Sequence, residues 1–201
     1  MLKKLVPLAA LIFVISAAAA QDSSTRFVRK GLFRSQATLS SGAMLGPQVT
    51  NIYLHGGFDY YVDESVSIRN DGYYFITTLA DSKVFKMNHS IFSGGSYHFK
   101  TKGNLDPYFG IQPGVAIAQV QYDVCPDNML CFIGSTSSKP AASPLISGVA
   151  GFNYYAQRFF HLFLETRYIQ GKHLSDYGPT SLNELRFSFG LGWNINLKKA
   201  Q

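Results

Sequence analysis

The stretch of this chain best equipped for covalent chemistry is GKHLSDYG, residues 171–178. A serine hydrolase needs a base to take the hydroxyl proton and an acid to orient that base. His173, Ser175 and Glu184 are the residue types for those roles, with His173 and Ser175 two apart at a strand-to-loop edge. Solvated loops use both types with no chemistry at all, so hydrolysis is the alternative reading. A second constellation is a set of charges spaced two apart: Arg69 with Asp71, Glu165 with Arg167, Glu184 with Arg186, plus Asp59. Alternate residues of a strand share a face, so each pair can meet on one side of a sheet. Removing one partner of a buried pair costs about 3–5 kcal/mol, and balanced pairs therefore suit a sealed polar space. The third constellation is Cys125 and Cys131, which in an exported chain reads as a disulfide. Neither a His nor a further Cys lies near enough in sequence to complete a metal site. His55, His89, His98 and His161 are scattered, so no metal and no cofactor is expected.

The elements that must hold these residues are strands. In residues 182–197, Leu185, Phe187, Phe189, Leu191, Trp193, Ile195 and Leu197 fall on one face. Glu184, Arg186, Ser188, Gly190, Gly192, Asn194 and Asn196 fall on the other. Such period-two alternation specifies a strand. It recurs over about 33–45, 51–62, 65–76, 89–100, 105–122, 145–155 and 159–170, which makes eight strands. The connections at 63–64, 102–104 and 156–158 are short, and those at 77–88, 123–144 and 172–181 are long. The connection at 46–50 belongs to the long set but is brief. Pro113 inside the fifth strand predicts a bulge or distortion.

Composition supports apolar surroundings. Charged residues make up 15% of the 201, below the ~25% of a typical soluble domain, while Phe and Tyr number 16 and 12. Lysines keep to loops and termini, and Gly and Ser crowd the charged face of the strands, where eight strands leave little room. The arrangement predicts an all-β, eight-stranded, antiparallel up-and-down transmembrane β-barrel, apolar outside and polar inside. Tyr60, Tyr61, Tyr154, Tyr155, Phe159 and Trp193 are placed to form an interfacial girdle. Residues 1–20 read as a cleaved signal peptide, with Lys3 and Lys4 before an apolar run and Ala18–Ala20 at its end. The expected organisation is then a periplasmic leader at 21–32, a barrel at 33–197 and a tail at 198–201. The formal net charge of +6, two units of which lie in the signal, does not argue for nucleic acid.

The whole mature chain resembles the small Gram-negative outer-membrane β-barrel family, the OmpA-like and OmpX-like proteins. The resemblance rests on the alternation, on GGFDYYVDESVSIRNDGYYF, on LDPYFGIQPGVAIA and on FSFGLGWNI. It implies the cell outer membrane as the location. It also implies a barrel-assembly signal at Ser188, Gly190, Trp193 and Ile195, with Ile195 where the family usually has an aromatic. Expected partners are outer-membrane lipid and lipopolysaccharide, the barrel-assembly machinery during insertion, and an extracellular ligand or host surface. GKHLSDYG is similar to the His-x-Ser-Asn of the lipid A 3-O-deacylases but departs at Asp176. The function read first is structural or surface-interactive, through the loops, and not general diffusion. A lipid A deacylase-like hydrolase is the alternative, and a narrow ion or small-solute channel lined by the charges is the second alternative.

Overall fold

The computed structural model describes residues 28–79, 84–101, 103–124, 134–157, 159–175 and 178–196. The strands are β1 (Leu32–Met44), β2 (Thr50–Tyr61), β3 (Val66–Leu79), β4 (Phe85–His98), β5 (Leu105–Val124), β6 (Gly134–Ser137), β7 (Ala141–Tyr154), β8 (Phe160–Ser175), β9 (Gly178–Ser181) and β10 (Glu184–Asn196). Eight of them form one closed antiparallel barrel in the order β1-β2-β3-β4-β5-β7-β8-β10, sealed by pairing of β10 with β1. The two four-residue strands, β6 and β9, pair with β5 and β8 as hairpin extensions. Closure leaves the sheet without a first or last edge strand.

The alternation becomes a two-sided wall. Outward stand Leu39, Leu54, Ile68, Ile76, Ile91, Ile111, Phe189 and Trp193, all exposed. Inward stand Arg34, Asp59, Arg69, Asp71, Glu165, Arg167, Glu184 and Arg186, all buried. A soluble barrel has the opposite arrangement; a lipid-embedded one requires this one. Four inward glycines mark close approach. A Cβ at Gly94 would lie 2.4 Å from the Ile111 carbonyl oxygen, and one at Gly114 would lie 2.5 Å from that of Ile91. At Gly110 and Gly151 it would again meet backbone oxygen, at 2.7 and 2.4 Å.

Three expected loops are corrected. Residues 77–88 are not one long loop: β3 continues to Leu79 and β4 begins at Phe85. Residues 172–181 are largely strand, with Lys172 opposite Ser181 and His173 opposite Thr180. The 123–144 loop contains β6, paired with the end of β5. In each case the ladder runs on past the band that lipid would cover, where alternation is no longer demanded. Tyr61 and Tyr155 are not girdle residues either. Both are buried, while Tyr60, Phe159 and Trp193 face out. Residues 1–27, with the signal and most of the leader, lie outside the described residues, as do Cys125 and Cys131 and the tail at 198–201.

The interior is apolar at both ends. At the loop end Met44, Val49, Phe75, Phe85, Val120, Leu145, Ile169 and Leu182 pack together inside the barrel. At the short-turn end Val28 and Leu32 cover Tyr61 and Tyr155.

Candidate functional site

Between those apolar ends the lumen is filled by three tiers of charge. In the tier nearest the short turns, Arg34 reaches Asp59 at 2.8 Å and Asp106 at 3.3 Å. Asp106 also accepts from Tyr61 at 2.8 Å, Asn153 at 3.1 Å and Tyr155 at 3.2 Å. His98 stands between Asp106, 3.0 Å from its Nδ1, and Ser67 Oγ, 3.0 Å from its Nε2.

The middle tier is the densest. Arg69 grips Asp71 in a two-pronged contact, Nε to Oδ2 at 2.8 Å and Nη2 to Oδ1 at 2.9 Å. Its Nη2 also bonds Glu165. Arg167 donates to Asp71 at 2.5 Å, to Gln112 at 2.5 Å and to Ser147 at 2.9 Å. Tyr108 and Tyr73 donate to Glu165 at 2.9 and 3.1 Å, and His55 Nε2 lies 3.1 Å from Asp71. The guanidiniums also lie over rings, Arg69 over Tyr108 at 5.0 Å and Arg167 over Phe92 at 4.8 Å. In the upper tier Arg186 meets Glu184 at 2.7 Å, and Glu184 accepts from Tyr53 and Asn51 at 2.9 and 3.0 Å. Arg186 stacks over Tyr53 at 4.0 Å.

The seven charges picked from the sequence all stand in this lumen, but their pairing is not simply local. Glu165 and Arg167, two apart on β8, are 3.7 Å apart, whereas Arg167 makes its shorter contact across the barrel with Asp71. The charge network read from the sequence does not contain Arg34, Asp106, His55, His98 and Gln112, nor the inward tyrosines. Their signal was parity: Tyr53 alternates with Asn51 and His55, and Asp106 alternates with Gly110 and Gln112.

Of the hydrolase candidates, His173 and Glu184 are not brought together, and the Ser175 side chain lies outside the described residues. Glu184 pairs across the ladder with Ile169, four residues before His173 on β8, a separation of about 13 Å at ~3.3 Å per residue. Its carboxylate is taken by Arg186, Tyr53 and Asn51, while His173 Nδ1 lies 3.1 Å from Ser143 Oγ. Ser67, His98 and Asp106 do stand in the order of hydroxyl, imidazole and carboxylate that hydrolysis uses. All three are buried beneath Tyr61 and Tyr155, and Ser67 Oγ is also 3.3 Å from Asp59. His55, Asp71 and Glu165 bring potential metal ligands within 4.8 Å of one another. Arg69 and Arg167 already hold these carboxylates, so the place a cation would take is filled by guanidinium.

Of the assembly-signal residues, Trp193 and Ile195 face out and Ser188 is buried inside. Neither a family model nor a curated protein matches the sequence. Solved structures do. OprG from Pseudomonas aeruginosa matches with a TM-score of 0.62 at 14% identity, over 84% of this chain and 97% of that one. The fold is that of the small outer-membrane β-barrels. Neisserial surface protein A matches this chain at a TM-score of 0.55 and 15% identity, over 84% of this chain and 98% of that one. Ail of Yersinia pestis matches at 0.51 and 11%, over 83% and 99%. A barrel of eight strands has a lumen that side chains can fill, and here three tiers of charge between two apolar clusters fill it.

Proposed function

We propose that this protein is a non-conducting outer-membrane barrel that acts through the surface its loop end presents to the exterior. The observation that carries the reading is the lumen. Four arginines and five carboxylates, namely Arg34, Arg69, Arg167 and Arg186 with Asp59, Asp71, Asp106, Glu165 and Glu184, are all buried and interlocked. A path for ions would have to break these contacts at every tier and then cross the apolar packing at both ends. The hairpins β5–β6 and β8–β9 carry the wall beyond the lipid band and give the loop end a folded platform. Among barrels of this fold, one is named an attachment invasion locus protein and another a surface protein. The proposal takes the loop end of this chain in the same sense, for adhesion, envelope integrity or defence.

Planar-bilayer recording tests the reading. The purified full-length barrel is expected to give no discrete openings at moderate voltage. Reproducible unitary steps whose ion selectivity changes in Arg69→Gln would overturn it in favour of a narrow channel.

A further inference from the structure

The wall is not evenly laced. β3 and β4 pair from Val66 opposite Tyr97 only as far as Tyr73 opposite Ser90. Beyond that point Tyr74–Leu79 is held by β2 alone and Phe85–His89 by β5 alone. His89 bridges the seam: its Nδ1 accepts the Phe75 backbone N–H at 3.0 Å, a proton with no β4 carbonyl to go to. That bond fixes the neutral imidazole as the Nε2–H form. The ring stacks on Tyr74 with centroids 4.3 Å apart.

Below the seam the outer wall is hollow. A furrow of about 510 Å³ is bordered by Leu54, Tyr74, His89 and Ile117, with Ala37, Gly56 and Gly72 as its floor. It adjoins a second hollow of about 750 Å³ that shares Gly56, Gly72, Ile91 and Val115. Both volumes fall within the roughly 300–1,000 Å³ of ligand clefts. Packing does not impose the glycines. A Cβ at Gly56 or Gly72 would meet nothing closer than 3.9 Å, and neither has positive φ. The contrast is with the inward glycines, where a Cβ would strike backbone. The outward pair is dispensable to the wall, and its effect is to keep the furrow open. The inner side of the seam is closed by the buried His55, Tyr73 and Ser90, so an occupant stays on the outside.

We propose that this furrow is a binding site for one phospholipid of net negative headgroup charge, its acyl chain lying over Gly56 and Gly72. On the proposed function, lipid hydrocarbon surrounds this face, and Leu54, Tyr74, Ile91 and Ile117 beside the furrow are exposed to it. Charge complementarity assigns the headgroup. The His89 Nε2–H lies at the loop-side edge of the furrow, and Lys86, exposed three residues nearer the loop end, supplies a cation. A phosphate accepts from both.

Native mass spectrometry of the full chain, released from detergent after addition of phosphatidylglycerol or of phosphatidylcholine with the same chains, tests this. Wild type is expected to retain one phosphatidylglycerol at collision energies that strip the rest. Gly72→Leu and Gly56→Leu should cut that retention about tenfold while the unboiled gel mobility of the folded barrel stays unchanged. His89→Ala combined with Lys86→Gln should abolish the preference for phosphatidylglycerol. Equal retention by wild type and Gly72→Leu would overturn the site. So would a dimer of the chain, in place of a lipid adduct, that disappears in Gly72→Leu.

Discussion

Asp71→Ala is expected to destabilise the barrel by about 3–5 kcal/mol. The carboxylate takes the two-pronged contact of Arg69 at 2.8 and 2.9 Å, the Arg167 contact at 2.5 Å, His55 at 3.1 Å and Gln112 at 3.1 Å. Truncation leaves two buried guanidiniums with Glu165 shared between them and Asp59 only at 3.9 Å from Arg69. The cost is that of stranded charge, so it should exceed the cost of the volume removed. Asp71→Asn separates the two effects, since it keeps the shape and loses the charge; its loss should lie between wild type and alanine. The exposed pair of Lys100 and Glu64, 3.6 Å apart, is the control. Glu64→Gln is expected to move stability by less than about 1 kcal/mol, because water screens such pairs. Urea titration of the barrel refolded into vesicles, followed by the shift between folded and unfolded gel bands, measures all three.

Gly94→Val is expected to reduce the folded fraction sharply, through the wall and not the charges. The added Cβ would stand 2.4 Å from the Ile111 carbonyl oxygen and 2.9 Å from the Gln112 Cα. Both are backbone atoms of the neighbouring strand, so no flexible side chain can yield. β4 and β5 would have to part where Phe92 faces Gly114 and Gly95 faces Ile111. Overpacking of this kind costs about 1–3 kcal/mol or more, and a gap in the ladder leaves peptide groups unpaired in lipid, which is costlier still. The comparison is Gly72→Leu on the outer face, expected to fold like wild type. Refolding yield read from unboiled gel mobility distinguishes them.

Much of this architecture is written in alternation. From β10, where Leu185 to Ile195 face one way and Glu184 to Asn194 the other, the wall and its polar lumen follow directly. What alternation hides is where the lipid band ends. Leu145 and Val149 look like parity errors in β7, and Phe75 and Ile169 sit among polar positions. All four are buried inside: Leu145, Phe75 and Ile169 belong to the apolar core above the charges, and Val149 stands opposite Arg167 in the ladder. The missed partners have a related cause. Tyrosine reads as an outward girdle residue near a strand end, yet Tyr61 and Tyr155 point in because Asp106 needs donors. Strand spacing can nominate a pair such as Arg69 and Asp71. It cannot see that Arg167 crosses the lumen to the same carboxylate, since strand separation around a closed barrel is not a sequence distance. The seam above Tyr73 and Ser90 was likewise hidden, because most of it falls in residues 77–88, which read as a loop.

The central claim is that the apolar wall faces lipid around a closed polar core. The single tryptophan of the chain, Trp193, lies on that wall near the short-turn end, 56% exposed. Its fluorescence in vesicles of brominated lipid is the most direct test. The structure predicts strong quenching by bromines placed high on the acyl chain, weaker quenching by bromines near the chain terminus, and little quenching by aqueous iodide. Quenching by iodide alone, with none from any brominated lipid, would contradict it.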